Sequence, residues 1–250
     1  MKLFTIEGNI GSGKSTFIQL LKNNLKHVNG IPVVYVPEPV DEWESIQSLD
    51  GKNMIELFYQ DQPKYAFSFQ MMAYITRLNI LQKEIKKYPD CILISERSLL
   101  ADYHVFAKML YEEGHISHEN YQIYKRWFYS FLDNIHITGI IYLAITPDIC
   151  FDRCCKRSRK GENSISLEYL TRCWGMHERW MEDELIPIER IINNTEDDVE
   201  MVKEFISSEL YENEKNQSNF APEQYAAVFC IGIVLLGYVL RCLYIIQEFL

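Results

Sequence analysis

Near the N-terminus, Gly8-Asn9-Ile10-Gly11-Ser12-Gly13-Lys14-Ser15 follows the apolar run Leu3–Ile6 and precedes Phe17, Leu20, Leu21 and Leu25 at helical spacing. This arrangement constrains the chain more than any other feature. A phosphate loop needs glycines where backbone amides approach phosphate oxygens, a lysine to neutralise the transferred group, and a hydroxyl to hold Mg²⁺. Gly8, Gly11, Gly13, Lys14 and Ser15 supply all three. With a strand before it and a helix beginning at Thr16 and Phe17 after it, the segment Gly8–Thr16, with Asn9, Ile10 and Ser12 inside it, is expected to bind a nucleoside triphosphate.

Further along, Val33–Val36, Cys91–Ile94, Ile140–Ile145 and Ile186–Ile192 are short apolar runs. Helical patterns separate them over 64–87, 98–111, 117–134, 148–158, 165–182 and 197–210. The alternation predicts an α/β fold with a five-stranded parallel sheet flanked by helices. The 250 residues suit one such domain, placed at residues 1–210. A polar linker at 211–224 and an apolar helical tail at 225–250 are expected to follow. A net charge of −10 excludes non-specific nucleic-acid binding, because a phosphate backbone is repelled. Seven scattered cysteines imply reduced thiols and a cytoplasmic chain. Among them Cys150, Cys154, Cys155 and Cys173, even with His177, lack the paired spacing of a zinc site. The N-terminus runs straight into the phosphate loop, which leaves no room for an import signal, and the sequons at Asn193 and Asn216 have no meaning in such a compartment.

Five basic residues fall within 153–160: Arg153, Lys156, Arg157, Arg159 and Lys160. Arg153 and Arg157 share one helix face, and arginines on a mobile segment can neutralise charge that develops during phosphoryl transfer. The alternative is a solvated basic face. Glu38 stands at the C-terminal end of the second strand, where α/β folds bind ligands, as a base for a hydroxyl proton or as a surface acid. Gln70, Ala73 and Arg77 are spaced to lie on one helix face. Gln70 carries both a donor and an acceptor for a base edge, although a polar stripe facing solvent has the same spacing.

Taken together, Gly8–Thr16, Glu38-Pro39-Val40…Trp43, Tyr59…Phe69-Gln70, Glu96-Arg97-Ser98 and Ile165…Leu167-Glu168-Tyr169-Leu170 after the arginine segment resemble the deoxynucleoside kinase family over about residues 1–210. The resemblance implies a P-loop kinase, homodimeric, that moves the γ-phosphate of ATP to a deoxynucleoside 5′-hydroxyl with Mg²⁺. It implies Glu38 as general base with Arg97 as its partner. Lys14, Arg153, Arg157 and Arg159 would lie on the donor phosphates, and Ser15 and Glu96 on Mg²⁺. Ile55, Phe58, Phe69, Gln70, Ala73 and Phe106 would hold the acceptor, while Tyr59 and Glu162 would hydrogen-bond the 3′-hydroxyl. Arg77 and Asp102 stand where thymidine-preferring relatives lack charge, so deoxycytidine or purine deoxynucleosides are expected over thymidine. Tyr65, His104 and Gly161 depart from the family pattern.

Nothing in that pattern needs the tail. Ala226–Leu240 is an uncharged apolar run of 15 residues, and continuing through Ile246 it approaches the roughly 20 residues of a membrane span if Arg241 snorkels. A tail anchor on the cytosolic face, a helix packed on the kinase or forming oligomers, and an extension without a folded role all remain open. Two other functional classes compete. A nucleoside monophosphate kinase would carry further arginines for an acceptor phosphate, and a non-catalytic assembly subunit would lack Lys14, Glu38 or a lid arginine.

Overall fold

A computed structural model describes residues 2–132, 135–157 and 165–219. The chain divides into two compact units, residues 1–207 and 208–250. In the first, β1 (Lys2–Gly8) leads through the phosphate loop into α1 (Lys14–Asn24), and β2 (His27–Val28) and β3 (Ile31–Val36) follow. Next come α2 (Val40–Ser45), α3 (Met54–Gln60), the long α4 (Gln62–Lys87) and β4 (Ile92–Glu96). A short α5 (Leu99–Ala101) runs through a π-helical segment (Asp102–Ala107) into α6 (Lys108–Glu112), then α7 (His118–Leu132) and β5 (Gly139–Leu143). The order ends with α8 (Pro147–Arg157), α9 (Leu167–Asp183), β6 (Ile188–Ile191) and α10 (Glu196–Asn219).

Among the described residues the sheet has six strands in the order β2-β3-β4-β1-β5-β6, not five. Five are parallel as expected, but β2 pairs antiparallel with β3 through Val28↔Ile31 and His27↔Pro32. The sequence carries the cause. Asn29 and Gly30, with φ of 51° and 78°, form a two-residue turn of the twist that hairpins favour, and the strand before it is too short for an apolar pattern to reveal. The inner strands are buried on both faces; Leu3, Phe4, Ile6, Ile140 and Ile141 are each 0% exposed, which explains why they read as unbroken apolar runs.

Two helices differ from expectation. The pattern over 98–111 is interrupted at Asp102–Ala107, where one extra residue per turn puts Asp102 and Phe106 together toward one cavity. Helix α10 runs on to Asn219, so residues 211–219 of the expected linker are helical; Glu196, Asp197 and Asp198 in its first turn suit the helix dipole. Among the described residues no helix is long and apolar enough to cross a membrane. The apolar tail expected at 225–250 lies outside the described residues, as do Arg159, Lys160, Gly161 and Glu162.

Candidate active site

Parallel order places the C-terminal ends of β1, β3, β4 and β6 along one rim, and a cavity of about 640 Å³ opens there. Its donor side is shaped by backbone. Gly11 has φ of 79°, and a Cβ there would meet the Cys150 carbonyl and lie 2.7 Å from Cys154 Sγ. Gly13 caps α1 with φ of 95°, and no acidic residue occupies the first turn of that helix, which leaves its amides to an anion. Lys14 is buried and its Nζ donates to the carbonyls of Gly8 at 3.1 Å and Asn9 at 2.7 Å. Burial and the Arg97 charge push its pKa down to about 7 against the pull of Glu38, Glu96 and Glu7. Ile10, Gly11, Gly13, Ser15 and Thr16 line the cavity, whereas Gly8, Asn9 and Ser12 shape the loop from behind, Asn9 Nδ2 donating to the Leu170 carbonyl at 2.9 Å.

Ser15 Oγ donates to Glu96 Oε1 at 2.7 Å, so the two expected metal ligands meet. A hydroxyl and a carboxylate beside a phosphate loop suit Mg²⁺, which favours oxygen ligands and keeps water and phosphate oxygens in the rest of its shell. Among the described residues no group of three His, Cys, Asp or Glu side chains is arranged to hold a metal. Cys150 and Cys154 pack beneath the loop, Cys173 lies in the core, and Cys155 is exposed.

The acceptor side is built from side chains. Glu38, just past β3, meets Arg97 Nε at 3.4 Å as expected, and also Arg77 Nη2 at 3.0 Å, which was not. Every nitrogen of the Arg77 guanidinium is engaged: Nε donates to Asp102 Oδ2 at 2.9 Å, Nη2 reaches Asp102 Oδ1 at 3.3 Å, and Nη1 donates to the Glu96 carbonyl at 3.1 Å. Arg77 therefore holds three strand and helix ends together rather than standing free at a base. Burial alone would raise the Glu38 pKa; Arg77, Arg97 and Lys14 outweigh it and hold the carboxyl below the usual range. Arg97 has φ of 64°, an uncommon backbone state that turns its side chain back from the end of β4, with its guanidinium 4.9 Å from the Phe106 ring.

An aromatic wall completes the pocket. Phe58 and Phe69 stack at 4.6 Å, and Trp43 meets Phe69 edge-on at 5.8 Å while its Nε1 donates to Thr76 Oγ1. Ile55, Ala73 and Asp102 also line it. Gln70 is 2% exposed and its Oε1 is buried without a partner, so the solvated-stripe alternative does not hold for α4 here. Tyr59 lies edge-on to Tyr169 at 6.0 Å. Arg157 lines the donor side, and Arg153 Nη1 donates to the Ser12 carbonyl at 2.7 Å. Asn193 and Asn194 also line the cavity, though their sequence motif pointed only to glycosylation; an Asn pair after a strand end was the available signal. His104 stacks on Trp180 at 5.5 Å and does not line the cavity, and Tyr65 is half-buried against the core.

Comparison with known proteins agrees with this geometry. The deoxynucleoside kinase family profile matches residues 4–225. The chain is 32% identical over 199 residues to a mitochondrial deoxyguanosine kinase of Xenopus laevis, covering 72% of this chain and 73% of that protein. To a probable deoxycytidine kinase of fowlpox virus it is 35% identical over 185 residues (73% and 72%), and to human deoxycytidine kinase 32% over 202 residues (72% and 75%).

Proposed function

Since the chain belongs to the deoxynucleoside kinase family, we propose that it transfers the γ-phosphate of ATP to the 5′-hydroxyl of a deoxynucleoside bound against the Phe58–Phe69 wall. One observation carries this reading: Glu38, held ionised by two arginines, shares a single cavity with the Lys14 phosphate loop. The 5′-hydroxyl proton passes to Glu38, the oxygen bonds to the γ-phosphorus, and the bond to the β–γ bridging oxygen breaks, releasing ADP. A carboxylate of low pKa is a weak base, which suits a loose transition state in which proton transfer is late and positioning dominates. Lys14, Arg153, Arg157 and Arg159 neutralise the phosphates. Ser15 and Glu96 would hold Mg²⁺, which when bound supplies charge neutralisation between the β- and γ-phosphates.

Gln70 reads the base edge, while Tyr59 and Glu162 hold the sugar 3′-hydroxyl. The Arg77–Asp102 pair crowds the space of a thymine methyl, so deoxycytidine and purine deoxynucleosides are favoured over thymidine. Both acceptor-side arginines pair with carboxylates, and the neutral Tyr59, Phe69 and Gln70 beside them suit an uncharged nucleoside better than a monophosphate, which disfavours a nucleoside monophosphate kinase. We infer a cytoplasmic homodimer as well; Ile75 on α4 and Ile123, Trp127 and Tyr129 on α7 are exposed apolar groups that support it. For the stretch 226–246, anchoring predicts that the full chain sediments with membranes and a chain ending at Leu210 does not.

A phosphorylation assay across deoxynucleosides with wild type and Glu38→Gln tests the central assignment. Loss of about 10²–10⁴ in kcat with nucleoside KM preserved is expected. A fully active variant would overturn the base assignment, and thymidine as best substrate by kcat/KM would overturn the base preference.

A further inference from the structure

The carbonyl oxygen of Ser12, in the bend of the phosphate loop, accepts two hydrogen bonds: Arg153 Nη1 of α8 at 2.7 Å and Asn194 Nδ2 at 2.9 Å. Asn194 sits between β6 and α10 with φ of 62°, a left-handed state that asparagine adopts more readily than most residues with a side chain. Both donors lie over Gly13, where a Cβ would come 2.9 Å from Asn194 Nδ2 and 3.2 Å from Arg153 Nη1. Asn194 also lines the cavity, and its Oδ1 is buried without a hydrogen-bond partner.

The two arms differ in charge, and that decides which can let go. A guanidinium beside a triphosphate finds a stronger acceptor than a peptide carbonyl, because charge-assisted hydrogen bonds to phosphate are shorter and about twice as strong. A neutral carboxamide has no comparable draw. We propose that Asn194 is a positioning residue that keeps the phosphate loop in its binding shape by holding the Ser12 carbonyl, while Arg153 is a releasable second tether on the same oxygen that transfers to the bound polyphosphate. Asn194 acts on the loop, not on reacting atoms, and the inference rests on the cavity being the phosphoryl-donor site.

Two variants separate the backbone turn from the amide. Asn194→Gly keeps the left-handed turn and removes the tether, whereas Asn194→Asp keeps the size and sets an acceptor against the Ser12 carbonyl. ATP affinity, measured by calorimetry on the full chain without acceptor, is expected to weaken about tenfold in the first and further in the second. The deoxynucleoside KM stays within about twofold. Because both arms grip one atom, adding Arg153→Ala to Asn194→Gly should weaken ATP binding by more than the product of the two single effects. Unchanged ATP affinity in both Asn194 variants, with or without a fall in Tm, would overturn the inference, and so would strictly multiplicative effects in the double variant. Failure here is read on ATP affinity, whereas the proposed function fails on turnover.

Discussion

The two sides of the cavity reach the same end by opposite means. On the donor side the frame is backbone, a loop fixed by glycines at positive φ, and the side chains that would meet phosphate, Lys14, Arg153 and Arg157, are set against that frame. On the acceptor side the backbone recedes, and a network of Glu38, Arg77, Arg97 and Asp102 from four separate segments does the positioning. Backbone recognition suits the polyphosphate, which is common to every nucleotide donor. Side-chain recognition suits the acceptor, where identity must be discriminated. The difference should show as separable damage: donor-side changes alter ATP binding alone, and acceptor-side changes alter the nucleoside alone.

Gly11→Ala is the harshest way to test that separation. Its Cβ meets the Cys150 carbonyl, which is backbone and cannot swing away, so ATP affinity should fall by at least about a hundredfold while deoxynucleoside binding by calorimetry is retained. Simultaneous loss of both would show that the halves are not independent. From the other side, Gln70→Leu removes a buried amide and should raise the deoxynucleoside KM by about 10- to 100-fold with ATP affinity unchanged.

Glu7 lies beneath the seam between the halves and is 0% exposed. Burial pushes its pKa up to about 7 in spite of Ser98, Arg97, Arg77 and Thr5. A carboxyl whose folded pKa is raised contributes stability that is complete below the unfolded value and is lost as pH rises to about 7. Glu7→Gln should therefore leave stability near wild type at pH 4.5 and exceed it by about 2–3 kcal/mol at pH 8, as checked by denaturant titration. Equal differences at both pH values would exclude burial of a charge as the cause. The smallest effect is a proton. With Lys14 held near 7, a bound polyanion restores its charge, so ATP binding should take up a fraction of a proton approaching one at pH 8 and little at pH 6. Calorimetry in buffers of different ionisation enthalpy measures it.

How much of this was legible in the sequence follows the same division. The phosphate loop is contiguous, so its glycines, Lys14 and Ser15 were visible at once, and a strand end gave Glu38, whereas Glu96 and Arg97 came only with the family resemblance. Arg77 was visible as a helix-face residue, but its grip on Glu38 depends on how α4 lies against β3 and on the extra residue in the π-helical turn, neither of which a periodicity encodes. Asn194 was hidden for a related reason: its partner is a carbonyl 182 positions away in sequence. The parallel core was legible because buried strands are unbroken apolar runs, whereas β2 has two residues and no pattern to find.

That small strand has a consequence for how the protein behaves in a crowded solution. An open sheet presents a row of free amides and carbonyls at each border, a template on which another molecule can add a strand. Here the Asn29-Gly30 turn folds the chain back over that border, and Val33 N is bonded to the Lys26 carbonyl. A hairpin a few residues long thus acts as a guard against edge-to-edge association.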